Sequence, residues 1–384
     1  MTPSRRAALL GFSLFGVAWG AWEAAVPQIR SNANASDAGL GLALLAMAGA
    51  AMPTMLVTGR IMDRVGPNFC AVVVPAFALV WIAVPLSGSV LALAIALAAL
   101  GALSGAVDVA INTAAVTAER DTRQPVLPVS HGLFSAGVVV GALVSGAARE
   151  LDVPLTLVFA MFAGVSIAAI PWLRGGPAPP PEALLSTSRR RPPWMAPVIV
   201  LGLLCLVAYF VENAHQTWNA VELEDVHDAR PALGAAAPML FAITTATTRF
   251  SLQRLVRLFS SATIMGAGAA LAAAGTGLVA VSPNAAVAFV GIFVAGVGTA
   301  VVAPTLFSVS GVVSGPAERG RAVSIVATIG YGGFLISPPI VGGIAAVASL
   351  PWAYGAVAIV AAISAPTGAF FVRRVEAGRR VVAA

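Results

Sequence analysis

The sequence is poor in charge and in reactive side chains. Only 10% of its 384 residues are charged, and lysine is missing altogether, so all 22 basic residues are arginine. So little charge cannot coat a water-soluble globule of this length. The only cysteines, Cys70 and Cys205, fall in opposite halves, which excludes a disulfide framework or a cysteine metal cluster and leaves both as small apolar fillers. The three histidines, His131, His215 and His227, share no ligand spacing, and no paired catalytic set accompanies them. The chain therefore reads as a non-enzyme that needs no metal. Its arginines are scattered between apolar runs rather than set in a stripe that could track phosphates, so the net charge of +6 does not point to nucleic acid.

What fills the chain instead is apolar sequence: 59% of residues are hydrophobic and the mean hydropathy is +0.91. Runs of about 20 apolar residues, each long enough to cross a bilayer as a helix, recur throughout. Lipid forces each span to satisfy its own backbone hydrogen bonds, so an all-α integral membrane fold follows. Twelve spans are predicted, at 7–28, 38–58, 67–87, 90–117, 127–148 and 153–173 and then at 195–218, 232–249, 259–281, 285–313, 322–346 and 350–371. The N-terminal stretch carries Trp19, Trp22 and Glu23 and lacks a small-x-small cleavage site, so it reads as the first span rather than a signal peptide. With the N-terminus inside, every arginine except Arg30, Arg149 and Arg230 falls on the cytoplasmic side, and both termini are cytoplasmic. The acidic stretch "VELEDVHDAR" at 221–230 then lies outside with those three.

The proline-rich stretch 174–194, which carries Arg189, Arg190 and Arg191, reads as an extended cytoplasmic linker between a six-helix bundle at 1–173 and another at 195–384. The halves resemble one another locally, since "WGAWEAAVPQ" in the first span lines up with "AYFVENAHQT" in the seventh. Two pseudo-symmetric bundles with a site between them are the expected architecture.

Between the second and third spans lies "GRIMDRVG", with Gly59, Asp63, Arg64 and Gly66 in the pattern G-x-x-x-D-R-x-G. At that place the pattern resembles the signature of the major facilitator superfamily. The glycines would allow a tight reversal, while Asp63 could face a helix N-terminus or an arginine and latch the cytoplasmic side in one transport state. The chain departs from the family pattern after Gly66, where Pro67 and Asn68 replace the usual basic pair. In the matching stretch of the second half, "TRFSLQRLVRLFS" at 248–260, Arg249, Arg254 and Arg257 are kept and Gln253 stands where an aspartate is expected.

An ionisable side chain in mid-membrane costs on the order of 3 kcal/mol or more, so each one needs a reason. Glu23 in span 1, Asp108 in span 4 and Glu212 in span 7 are three such carboxyls, and no predicted span interior offers an arginine to pair with them. A carboxyl buried without a cation can load and release protons near neutral pH, which makes these three the candidate proton-coupling groups. Helical spacing extends them into stripes: Trp19 and Trp22 with Glu23; Gly101, Gly105 and Asn112 with Asp108; Tyr209, Asn213 and Gln216 with Glu212. Span 5 adds His131, Phe134 and Ser135. Aromatic planes beside carboxyls and amides suit a polar, hydroxyl-bearing or cationic small molecule, and Trp19, Trp22, Asn112, His131, Phe134, Tyr209, Asn213 and Gln216 are the candidate substrate contacts.

The drug/proton antiporters of the superfamily carry an arginine in helix 4 and a glycine–proline signature in helix 5. Here Gly101 stands at the first position and "HGLFSAGVVVGALVSG" lacks the proline. Acids in helices 1 and 4 instead resemble the fucose permease type of proton-linked symporter. The resemblance implies a monomeric carrier in the bacterial inner membrane that moves a small, sugar-like polar solute by alternating access, driven by the proton gradient and without a cofactor. Its alternatives are proton-driven efflux of amphipathic or cationic drugs and a non-transporting membrane receptor or scaffold.

Overall fold

A computed structural model describes residues 1–124, 126–176, 194–315 and 318–382, without the side chains of 253 and 378–382. The described chain is helical throughout: α1 (Pro3–Asn32), α2 (Asp37–Val65), α3 (Cys70–Val80), α4 (Val90–Thr122), α5 (Leu127–Glu150), α6 (Leu155–Ala168), α7 (Met195–Val221), α8 (Pro231–Leu258), α9 (Ser261–Ala280), α10 (Ala285–Ser314), α11 (Arg319–Val347) and α12 (Leu350–Val382). Among the described residues nine helical runs are long and apolar enough to cross a membrane, with α2 and α3 counted as one run of 47 residues. Dividing that run at Gly66 and adding α6 and α8 yields the twelve helices. The proline-rich linker lies outside the described residues apart from its first three residues and Trp194.

Local chemistry sets the starts. The side chains of Thr2, Ser36, Ser89, Ser260 and Asn284 accept a hydrogen bond from the backbone three residues on, at 3.1–3.3 Å, and so satisfy a free N–H at the heads of α1, α2, α4, α9 and α10. At the end of α2 the backbone reaches φ 68° at Gly66, a left-handed conformation that glycine adopts without strain. A 3₁₀ turn through Pro67 then leads into α3.

Contacts divide the chain into two compact units, Met1–Leu184 with Leu223–Met239, and Leu185–Glu222 with Leu240–Ala384. In the first, α1 and α5 pack backbone to backbone. A Cβ on Gly16 or Gly20 would collide with the main chain of Phe134 or Val138, and one on Gly137 or Gly141 with that of Ser13 or Val17. Two reciprocal small-xxx-small pairs thus let the helices touch, and dispersion then replaces the hydrophobic effect that lipid does not supply. An aromatic core forms beside them: Trp81 stacks on Phe159 with centroids 5.2 Å apart and meets Phe77 edge-on at 5.7 Å, all three fully buried. In the second unit α7 and α11 pack in the same way, six helices further along. Gly333 abuts the backbone of Leu206 and Phe210, and Ser337 Oγ donates to Phe210 O at 3.0 Å.

Two expectations change here. Gly101 and Gly105 do not extend the polar stripe of Asp108; they seat α4 against the main chain of α2 at Met47 and Ala51. α8 does not stop at residue 249 but runs on to Leu258, because no glycine or proline interrupts "RFSLQRLVRL" before the Ser260 cap. Arg249 is therefore a helix residue rather than a loop residue.

Candidate functional site

In the first unit, Asp108 lies about 27 Å along α4 from Val90, at roughly 1.5 Å per residue, near the middle of that 33-residue apolar helix. Asn112, one turn on, donates its Nδ2 to Asp108 Oδ1 at 3.2 Å and to Asp108 O at 2.8 Å. Both side chains are half-buried. Among the described residues Asp108 has no basic partner. Glu23 is buried on α1, and Trp22 beside it is a core residue whose ring lies 5.7 Å from Trp81. Trp19 also touches Trp81, at 6.0 Å, but stays partly exposed. Phe134 is half-buried 5.8 Å from Phe15, and His131, at the start of α5, is exposed with its ring edge-on to Phe12 at 4.9 Å. Of the candidate contacts in this half, Trp22 thus faces the packed interior, whereas Trp19, Asn112, His131 and Phe134 retain accessible surface.

The second unit holds a different arrangement. Arg249 of α8 donates from Nη2 to Glu212 Oε1 at 2.9 Å, and Gln216 Nε2 lies 3.5 Å from the same oxygen. This corrects the expectation that no arginine is within reach of the Glu212 carboxyl; the extension of α8 supplies one. The pair is unevenly placed, since the Arg249 side chain is 40% exposed and that of Glu212 only 7%. Among the described residues Glu212 Oε2 and Asn213 Oδ1 are buried acceptors with no hydrogen-bond partner. Tyr209, one turn before Glu212, joins an aromatic group with Phe334 at 4.8 Å, Tyr331 at 5.8 Å and Phe307 at 6.5 Å.

Sequence reading missed two further networks. His215 is fully buried, with Nδ1 2.9 Å from Asn219 Oδ1 and Nε2 2.9 Å from Thr276 Oγ1, while Tyr354 donates to the same Asn219 oxygen at 2.8 Å. The other network takes up Arg30, Arg149 and Arg230, the three arginines that the sequence reading set apart from the rest. Arg149 on α5 donates to both carboxylate oxygens of Glu224, at 2.7 and 2.5 Å, to Ala24 O at 2.7 Å and to Gln28 Oε1 at 3.3 Å. Arg30 pairs with Asp37 and Asp225, and Arg230 with Glu150 at 3.3 Å. Each of these arginines is thus matched by an acid: Glu224 and Asp225 lie in the acidic stretch 221–230, and Asp37 and Glu150 flank predicted apolar spans.

Along 358 residues the chain is 31% identical to a protein of Yersinia pestis described as an uncharacterised MFS-type transporter, with 91% of each chain covered. The chain belongs to the major facilitator superfamily. The family profile itself matches residues 202–384. A transporter of Sinorhizobium fredii is 29% identical over 95% of this chain and 97% of its own. Among solved structures, an aspartate-to-alanine mutant of the nucleoside transporter NupG superposes with a TM-score of 0.76 at 12% identity, covering 97% of this chain and all of its own. A bacterial homologue of the lysosomal transporter Spinster reaches 0.71 at 17% identity, over 96% and 95% of the two chains. At such identities these likenesses speak for the fold, which is that of a multi-pass membrane transporter.

In this member of the superfamily the signature between helices 2 and 3 is less a loop than a helix end. Gly59 sits inside α2 with open space around its α-carbon, so it makes no reversal. The turn belongs to Gly66 alone. Asp63 and Arg64 lie exposed in the last turn of α2.

Proposed function

We propose that this superfamily member couples the movement of a small polar organic solute to protons by alternating access, in the bacterial inner membrane and with both termini cytoplasmic. The observation that carries the reading is Asp108, a half-buried carboxyl near the middle of the apolar helix α4, whose hydrogen-bond partner is an amide on its own helix and which has no basic partner among the described residues. A charge in that place resists enclosure in a low-dielectric site, whereas its protonated form does not. Loading a proton on one side and releasing it on the other makes reorientation of the carrier depend on the gradient. Asn112 holds the carboxyl in place. Trp19 and Phe134 of the first unit offer aromatic surface to the solute, and Asp63 and Arg64 are the groups available to hold the cytoplasmic side closed in one state.

A second reading, proton-driven efflux of amphipathic or cationic molecules, draws on the aromatic group around Tyr209. It is the weaker of the two, because Arg249 already neutralises the carboxylate a cation would seek there.

The test is transport by the purified chain in proteoliposomes. Asp108→Asn is expected to reduce pH-gradient-driven accumulation to background while equilibrium counterflow persists, because binding and reorientation do not need a titrating group. Unchanged gradient-driven accumulation in that variant would sink the assignment. Counterflow of labelled sugars against labelled lipophilic cations separates the two readings.

A further inference from the structure

The Glu212–Arg249 pair presents its two ends unequally, and the inequality bears on the chemistry of the solute. A molecule that reaches this part of the second unit meets the guanidinium first, because Arg249 is 40% exposed and Glu212 is 7% exposed. Among the described residues Glu212 Oε1 takes a bond from one guanidinium nitrogen, which leaves most of the five N–H donors of the fork directed elsewhere. A guanidinium presents those donors in a plane that matches a carboxylate with two parallel hydrogen bonds. Behind it, Glu212 Oε2 is buried and takes no hydrogen bond from any described residue. No ligand atom can approach an oxygen so enclosed unless the site opens, but a proton can be added to it without new volume.

Resting on the proton-linked carrier reading above, we infer that the solute is a small organic carboxylate that binds Arg249 in exchange for Glu212, the exchange being licensed by protonation of Glu212. The balance is simple. One proton converts the Glu212 carboxylate to a neutral acid, its ion pair with Arg249 opens, and the carboxylate of the solute forms an ion pair with the freed guanidinium. One proton and one anion enter together, so the site's net charge is the same before and after. Tyr209 and Phe334, 4.8 Å apart, supply an apolar wall for the body of the molecule. The titratable and charged groups that face Glu212 are Cys205 and Tyr209 on its own helix and Arg249 on α8, with Tyr331 of α11 behind Tyr209. Of these, Arg249 is the one whose charge balances the carboxylate.

The experiment is thermal unfolding of the full chain in detergent at pH 6 and pH 8 with three matched polyols, gluconate, glucose and N-methylglucamine, and with lactate as a smaller acid. Gluconate or lactate is expected to raise the melting temperature, more at pH 6 than at pH 8. Glucose and N-methylglucamine are expected to do less. Glu212→Gln should gain carboxylate binding that is equally tight at both pH values, a gain that loss of a merely structural contact would not produce. Arg249→Gln should lose it at both. Stabilisation by glucose or N-methylglucamine with none by either acid overturns the inference, as does a carboxylate response that survives Arg249→Gln or no carboxylate response at all. The two readings fail separately. If glucose moves with Asp108-dependent protons while the acids do not bind, the inference falls and the carrier reading stands. If the acids bind as expected yet no solute accumulates under a pH gradient, the reverse holds.

Discussion

Arg149 in the first unit and Arg249 in the second each face a glutamate inside a largely apolar chain, and they differ in how fully they are satisfied. Arg149 is held by both oxygens of Glu224, by a backbone carbonyl of α1 and by Gln28, with side-chain exposures of 5% for the arginine and 12% for the glutamate. Among the described residues Arg249 makes a single contact to Glu212, remains 40% exposed, and leaves one glutamate oxygen with no donor. A saturated buried pair resists change, since removing either partner strands a charge in a medium that cannot solvate it. An unsaturated pair with one open end can trade partners. The same two residue types therefore serve as a rivet in one unit and as an exchangeable contact in the other, and their second partners make the difference.

Thermal unfolding of purified variants can break this comparison. The largest loss is expected for Arg149→Gln, about 3–5 kcal/mol, because Glu224 is left buried without its cation. Arg249→Gln should cost less, about 1–3 kcal/mol, since the arginine is already 40% exposed and makes one bond to Glu212. Equal losses for the two variants would show that Arg249 is a rivet too. The smallest effect belongs to Arg230→Gln, below about 0.5 kcal/mol, because Arg230 is 85% exposed and its pair with Glu150 is solvated. Lysine sharpens the contrast further. Arg149→Lys should recover only part of the loss, as an ammonium cannot serve both Glu224 oxygens and Ala24 O in the same plane.

Much of the fold was legible from residue order. Twelve apolar runs, the two-fold recurrence of a glutamate stripe in spans 1 and 7, and "GRIMDRVG" after the second span all follow from hydropathy and spacing, because a helix in lipid must be apolar and long irrespective of its neighbours. The reversal at Gly66 was legible too, but not the helical continuation through Gly59, since a glycine within an otherwise strong helical run bends nothing by itself.

The site was legible in part. Helical periodicity alone places Asp108 one turn from Asn112, and Tyr209 and Gln216 on either side of Glu212. It could not reveal that Gly101 and Gly105 serve helix contact, that Trp22 is core, or that Arg249 reaches Glu212 across 37 positions of sequence. Each of those facts depends on which helix lies beside which, and small-residue contacts decide that.

The sequence by itself determined that this chain lives in a membrane, as twelve helices carrying a few isolated acids. Only the tertiary structure decided which of those acids acquire a cation. Hydropathy acts along one helix and is written in the order of its residues, whereas an ion pair depends on two helices meeting at one depth, which no single span encodes.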